Sequence, residues 1–212
     1  MRPSLLVGLA LALAPAHAAG QSQAAPVVIY LHGRVVEDQG PAAVSPEFGP
    51  YGYYAILDSL HASGFQVLSD LRPPGTDMAQ YAARVAAQVD SLIQAGVPPA
   101  RIAVVGFSKG GGIAIQTAAR LQRPDIVFVF LAACSKGATT LRVAGRLLSV
   151  VEESDSLGRS CASLFARALP GSVHAELRIQ TGLKHGAFYQ PRQAWLAPVR
   201  AWIRGSSPGA AS

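Results

Sequence analysis

The sequence predicts an α/β fold: a three-layer α/β/α sandwich on a mostly parallel six-stranded sheet. Short apolar runs of strand length alternate along the chain with longer stretches of helical periodicity. Most of those runs are apolar throughout rather than at every second residue, and a strand apolar on both faces needs helices covering both.

Taken in order, "APVVIYLHG" (25–33) reads as a buried strand ending in His-Gly, and "YGYYAILDSLHASG" (51–64) as a helix closed by Gly64. A second strand is expected at "FQVLSDLR" (65–72). The stretch 77–96 carries apolar residues at 78, 81, 82, 85, 89, 92 and 93, a helical stripe with Asp77 at its start and Gly96 at its end. "RIAVVGF" (101–107) is a third strand, and a helix runs from about Lys109 to Leu121. "DIVFVFLAAC" (125–134) and "GRLLSVVEE" (145–153) are the fourth and fifth strands, with a short helix near 160–169. "HAELRIQTG" (174–182) is the sixth strand and "PRQAWLAPVRAWIRG" (191–205) the last helix. The stretch 33–54 reads as a long loop rich in Pro, Gly and aromatic residues.

The first residues have the make-up of a secretory signal: Arg2, an apolar run from Leu5 to Ala14, then Ala16-His17-Ala18. That run is shorter than a bilayer-spanning helix. The organisation expected is therefore a signal peptide over 1–18, one domain over 19–204 and a flexible tail over 205–212, exported to the periplasm or beyond, without stable membrane insertion. A monomer is the default. The net charge of +6 is spread over scattered basic residues, which argues against nucleic acid as a partner. The two cysteines, Cys134 and Cys161, fit either one disulfide in an oxidising compartment or two buried thiols.

One short stretch carries chemistry. In "VVGFSKGGGIAIQTAARL" (104–121) a strand tightens into Gly106-Phe107-Ser108-Lys109-Gly110 and continues as a helix. Glycines on both sides of a serine allow a bend too sharp for side chains, holding the hydroxyl outward on a strained backbone. The helix start behind it supplies unpaired N–H groups for an oxyanion. A dinucleotide fingerprint would need glycine in place of Ser108, and a P-loop would need lysine before the hydroxyl residue.

The succession of strand-HG, helix, strand, helix, strand-GFSKG-helix resembles the α/β-hydrolase family over nearly the whole chain after the signal. That resemblance implies a base after the last strand and an acid after the strand preceding it. Of the five histidines, His185 in "TGLKHGAFY" occupies the family's base position; His17 leaves with the signal, His32 belongs to the first-strand loop, and His61 and His174 read as surface or packing residues. "LLSVVEESDSLG" offers Asp155 as the leading acid, with Glu152 and then Glu153 behind it. The implied oxyanion donors are the backbone N–H groups of Lys109 and Arg34, whose side-chain charges read as solvated or as attracting an acidic substrate.

Arg72, in the loop after the second strand, is a candidate for substrate binding, with solvent exposure as the competing expectation. Phe48, Tyr51, Tyr53 and Tyr54 either line an acyl pocket or pack their loop on the sheet. Family geometry places Cys134 and Cys161 at one sheet edge and implies a disulfide pinning the acid loop. The short connection after the fourth strand leaves no room for a cap domain. What the resemblance implies is a secreted serine hydrolase acting on small-molecule esters or acyl compounds through an acyl-enzyme, with no metal or organic cofactor. A peptidase, thioesterase or acyltransferase would use the same residues, and a silent binding module would share the fold.

Overall fold

The computed structural model describes residues 25–135 and 140–207. The expected signal peptide, 1–18, lies outside the described residues, as do positions 208–212 of the expected tail. The elements are β1 (Val27–Leu31), α1 (Arg34–Gln39), β2 (Val44–Ser45), β3 (Gly49–Pro50), α2 (Tyr53–Ala62), β4 (Gln66–Leu68) and α3 (Met78–Gln94), then β5 (Ile102–Phe107), α4 (Lys109–Leu121) and β6 (Val127–Leu131). They continue as β7 (Arg146–Glu152), α5 (Ala162–Phe165), β8 (Val173–Ile179) and α6 (Gln193–Ile203). None of the described helices is long and apolar enough to cross a membrane.

Six strands form one sheet in the order β4-β1-β5-β6-β7-β8, and every pairing in it is parallel. The fully apolar strands have the predicted cause. Val28 and Tyr30 of β1 face a core shared with Ile56 and Leu60 of α2 and with Trp195, Val199 and Trp202 of α6. Ile29 and Leu31 face the opposite core, with Val85 and Val89 of α3 and Ile113 and Ala118 of α4. Strand β8, at the sheet edge, is less buried, with Val173 55% exposed.

The chain winds from β1 outward to β4, then crosses back and winds the other way from β5 to β8. The reversal falls between β1 and β5, and a crevice beyond the carboxyl ends of such a strand pair is where open α/β sheets hold their ligands. The loop after β1 and the bend after β5 meet there.

The stretch 33–54 corrects the sequence reading. It is not one long loop but a short helix, α1, followed by the small antiparallel β2–β3 pair. Gly40 ends the helix at φ +82°, where its N–H reaches Val36 O. Two elements are shorter than expected: β4 holds only Gln66–Leu68 of the strand expected over 65–72, and α5 only Ala162–Phe165 of the helix expected near 160–169.

Candidate active site

At the end of β5, Ser108 has φ +53° and ψ −118°, a sparsely populated positive-φ conformation that costs a non-glycine residue on the order of 1–3 kcal/mol. Close backbone approach explains why glycines flank it. A Cβ on Gly106 would lie 2.3 Å from Gly110 O, and one on Gly110 only 2.0 Å from Leu31 O. The bend is held by Ser108 N donating to Leu131 O at 2.9 Å and Gly112 N donating to Ser108 O at 3.0 Å. The side chain is half-buried at the mouth of the crevice.

Beside it, the loop after β8 presents His185. Its ring lies 4.7 Å from that of Phe107, the residue before the serine. Nδ1 donates to Asp155 Oδ2 at 2.7 Å, leaving Nε2 as the free ring nitrogen. Among the described residues Ser108 Oγ has no hydrogen-bond partner; contacts of this type are often long until a substrate is bound. Asp155 Oδ1 accepts from Leu157 N at 2.8 Å, and the side chain is 1% exposed. Burial pushes the Asp155 carboxyl up, but the bond and charge of His185 and the backbone donors outweigh it and hold it below its ordinary value.

Of the three acids considered, Asp155 meets the histidine. Glu152 instead ties the acid loop to the histidine loop: Oε2 accepts from Ser154 N and Oγ at 2.8 and 2.6 Å, and Oε1 from Thr181 N and Gly182 N at 3.0 and 2.9 Å. The disulfide Cys134–Cys161 joins the end of β6 to the far end of the acid loop. Glu176 on β8 secures that end by accepting from Ser160 Oγ and Cys161 N at 2.7 and 2.6 Å.

On the opposite side, a Cβ built on Gly33 would lie 3.7 Å from Ser108 Cβ, which places the loop after β1 against the serine. Arg34 and Lys109 are the first residues of α1 and α4, so their N–H groups lack intrahelical acceptors.

Two expectations are corrected here. Arg72 is neither exposed nor open to a pocket: its side chain is 0% exposed, its Nε donates to Glu37 Oε2 at 3.3 Å and its Nη2 donates to His32 O. The charge of Lys109 is likewise not free for an acidic substrate, because its Nζ pairs with Glu37 Oε1. Both have one cause, a carboxylate buried among them. Glu37 was missed in the sequence; its only trace is a short polar stretch bracketed by Gly33 and Gly40. Arg34, by contrast, is exposed and has no ionic partner among the described residues.

The aromatic residues divide. Tyr51 is core, its hydroxyl 2.6 Å from that of Tyr30, and Tyr53 bonds Ser69 Oγ at 2.9 Å; Tyr54 is exposed. Of these four residues Phe48 alone borders the site, its ring 6.1 Å from that of His185. Two shallow recesses flank the crevice. One of about 250 Å³ lies between Phe48 and the loop bearing Leu183 and Lys184. The other, about 420 Å³, lies between Arg34, Met78 and Lys109.

The strand order and the strained bend after β5 are those of an α/β-hydrolase fold. Solved structures share it at low sequence identity. SOBER1 of Arabidopsis thaliana superposes with a TM-score of 0.54 at 16% identity, over 85% of this chain and 98% of that one. Esterase PE8 gives 0.55 at 19% identity, over 85% and 92%. ATU1826 of Agrobacterium tumefaciens, a protein of unknown function described as a candidate α/β hydrolase, gives 0.56 at 18% identity, over 87% and 86%. No protein-family model matches the sequence, and no curated protein does.

Proposed function

We propose that the protein is an exported serine hydrolase that cleaves small carboxylic esters through an acyl-enzyme. The observation that carries this reading is the strained Ser108 beside a histidine whose Nδ1 is already engaged by a buried aspartate. In the first half-reaction Ser108 Oγ attacks the ester carbonyl while His185 Nε2 takes the hydroxyl proton. Asp155 holds the tautomer that leaves Nε2 free and stabilises the imidazolium. The backbone N–H groups of Arg34 and Lys109 receive the oxyanion. Collapse expels the alcohol, which takes the proton from His185; water then repeats the sequence on the acyl-enzyme and releases the acid. Esterase PE8 shares the fold, which supports ester chemistry. The apolar leader and the disulfide support an oxidising compartment.

A fluorophosphonate probe tests the nucleophile. Wild type is expected to take up one label, lost in Ser108→Ala; folded wild type that remains unlabelled would instead support a binding module. 4-Nitrophenyl esters of rising chain length, beside matched anilides and thioesters, then separate esterase from peptidase and thioesterase. Faster turnover of anilides than of esters would overturn the ester assignment.

A further inference from the structure

We propose that Glu37 is a positioning residue that sets the gap between the two backbone donors of the oxyanion hole. The inference rests on the serine-hydrolase reading above. Both donors open helices: Arg34 opens α1 and Lys109 opens α4. The side chain of Glu37, three residues into α1, pairs with the side chain of Lys109. The donor-bearing ends of the two helices are thus joined directly by one ion pair.

The same carboxylate fixes a third segment. Oε2 accepts from Arg72 Nε at 3.3 Å and Oε1 from Thr76 N at 3.1 Å, both in the loop after β4. The side chains of Glu37, Arg72 and Lys109 are 1%, 0% and 10% exposed, so water does little to screen the joint. Burial pushes the Glu37 carboxyl up, but Lys109 and Arg72 outweigh it and keep it ionised below its ordinary range.

Helix α1 has few other anchors: Val35 packs partly against the core and Gln39 Oε1 accepts from Val44 N at 3.0 Å. It spans six residues, Gly33 provides no side-chain cap, and Val36 is its one buried apolar residue. A helix that short has no stability of its own. Its placement against α4, and with it the direction of the Arg34 N–H, depends on where Glu37 is anchored. Oxyanion donors act through their placement, and removing one costs about 10²–10³ in rate. A donor shifted but not lost should cost less.

The test measures steady-state kinetics on 4-nitrophenyl acetate for wild type, Glu37→Gln, Lys109→Met and the double Glu37→Gln/Lys109→Gln. Inhibition by a trifluoromethyl ketone, whose serine adduct carries an oxyanion, is measured alongside. Glu37→Gln and Lys109→Met are each expected to lower kcat by about 10- to 100-fold with KM within about twofold, and to weaken the ketone in proportion. Gln at both positions restores a neutral hydrogen bond and is expected to recover a large part of kcat. A merely structural joint would lower the melting temperature while leaving kcat and ketone affinity of the folded fraction unchanged; that result overturns the proposal. Should Glu37→Gln not fold, Lys109→Met breaks the same bond from the other helix and decides alone. Active wild type with unaffected variants defeats the role of Glu37 only. Wild type that takes up no fluorophosphonate and cleaves no ester defeats the hydrolase reading and this inference together.

Discussion

His32 should make the protein lose stability in mild acid, before its buried carboxylates protonate. The ring is fully buried; its Nε2 accepts from Arg72 N at 3.1 Å, so the neutral tautomer carries its proton on Nδ1, beside Gly33 O at 2.9 Å. A second proton would set two N–H groups against each other and place a cation next to the Arg72 guanidinium. Burial and that guanidinium lower the pKa from 6.5 to about 4. The unfolded chain therefore binds a proton on His32 between those values while the folded protein does not, and stability rises with pH in that window. The contribution is complete above about pH 6.5 and has fallen by on the order of 3 kcal/mol near pH 4, with about 2 kcal/mol gone by pH 5. Urea unfolding followed by the fluorescence of the buried Trp195 and Trp202, at pH 7.5 and pH 5, measures this in wild type and His32→Gln. The variant should be less pH-sensitive than wild type by about 2 kcal/mol over that interval, whatever its absolute stability. Equal pH dependence in the two proteins would refute the reasoning.

Asp155→Asn should lower kcat for ester hydrolysis by about 10³–10⁴ with little change in melting temperature, since an amide facing Nδ1 favours the wrong tautomer; a loss below tenfold would move the acid role elsewhere. Replacing Cys134 and Cys161 together by serine should cost about 2–4 kcal/mol in chemical denaturation. The wild type should show a comparable loss in reductant and the variant none. Ser149 Oγ is buried without a partner among the described residues, so Ser149→Ala should raise stability by about 1 kcal/mol, and a clear loss in the melting curve would contradict this.

The order of strands and helices was readable because its cause is local. Apolar runs of strand length, and glycines at the one bend that admits no side chain, are properties of adjacent residues, so the corner at Ser108 could be placed from 104–121 alone. The choice among Asp155, Glu152 and Glu153 was of another kind. Glu152 ends β7 with its carboxylate on the backbone of Thr181 and Gly182, which leaves Asp155 for the imidazole. That assignment depends on how two loops separated along the chain come together. Arg72 was misread for the same reason: its partner Glu37 lies 35 residues away, and no periodicity links the two. Helix α1 was missed because six residues with one buried apolar side chain leave almost no amphipathic pattern.

Ser108 stays half-open to solvent at the mouth of the crevice. An acyl group carried on that serine would therefore sit in contact with bulk water, which outnumbers any other acceptor by several orders of magnitude. On the proposed reading, that exposure gives water, the acceptor that hydrolysis requires, a direct approach to the acyl group.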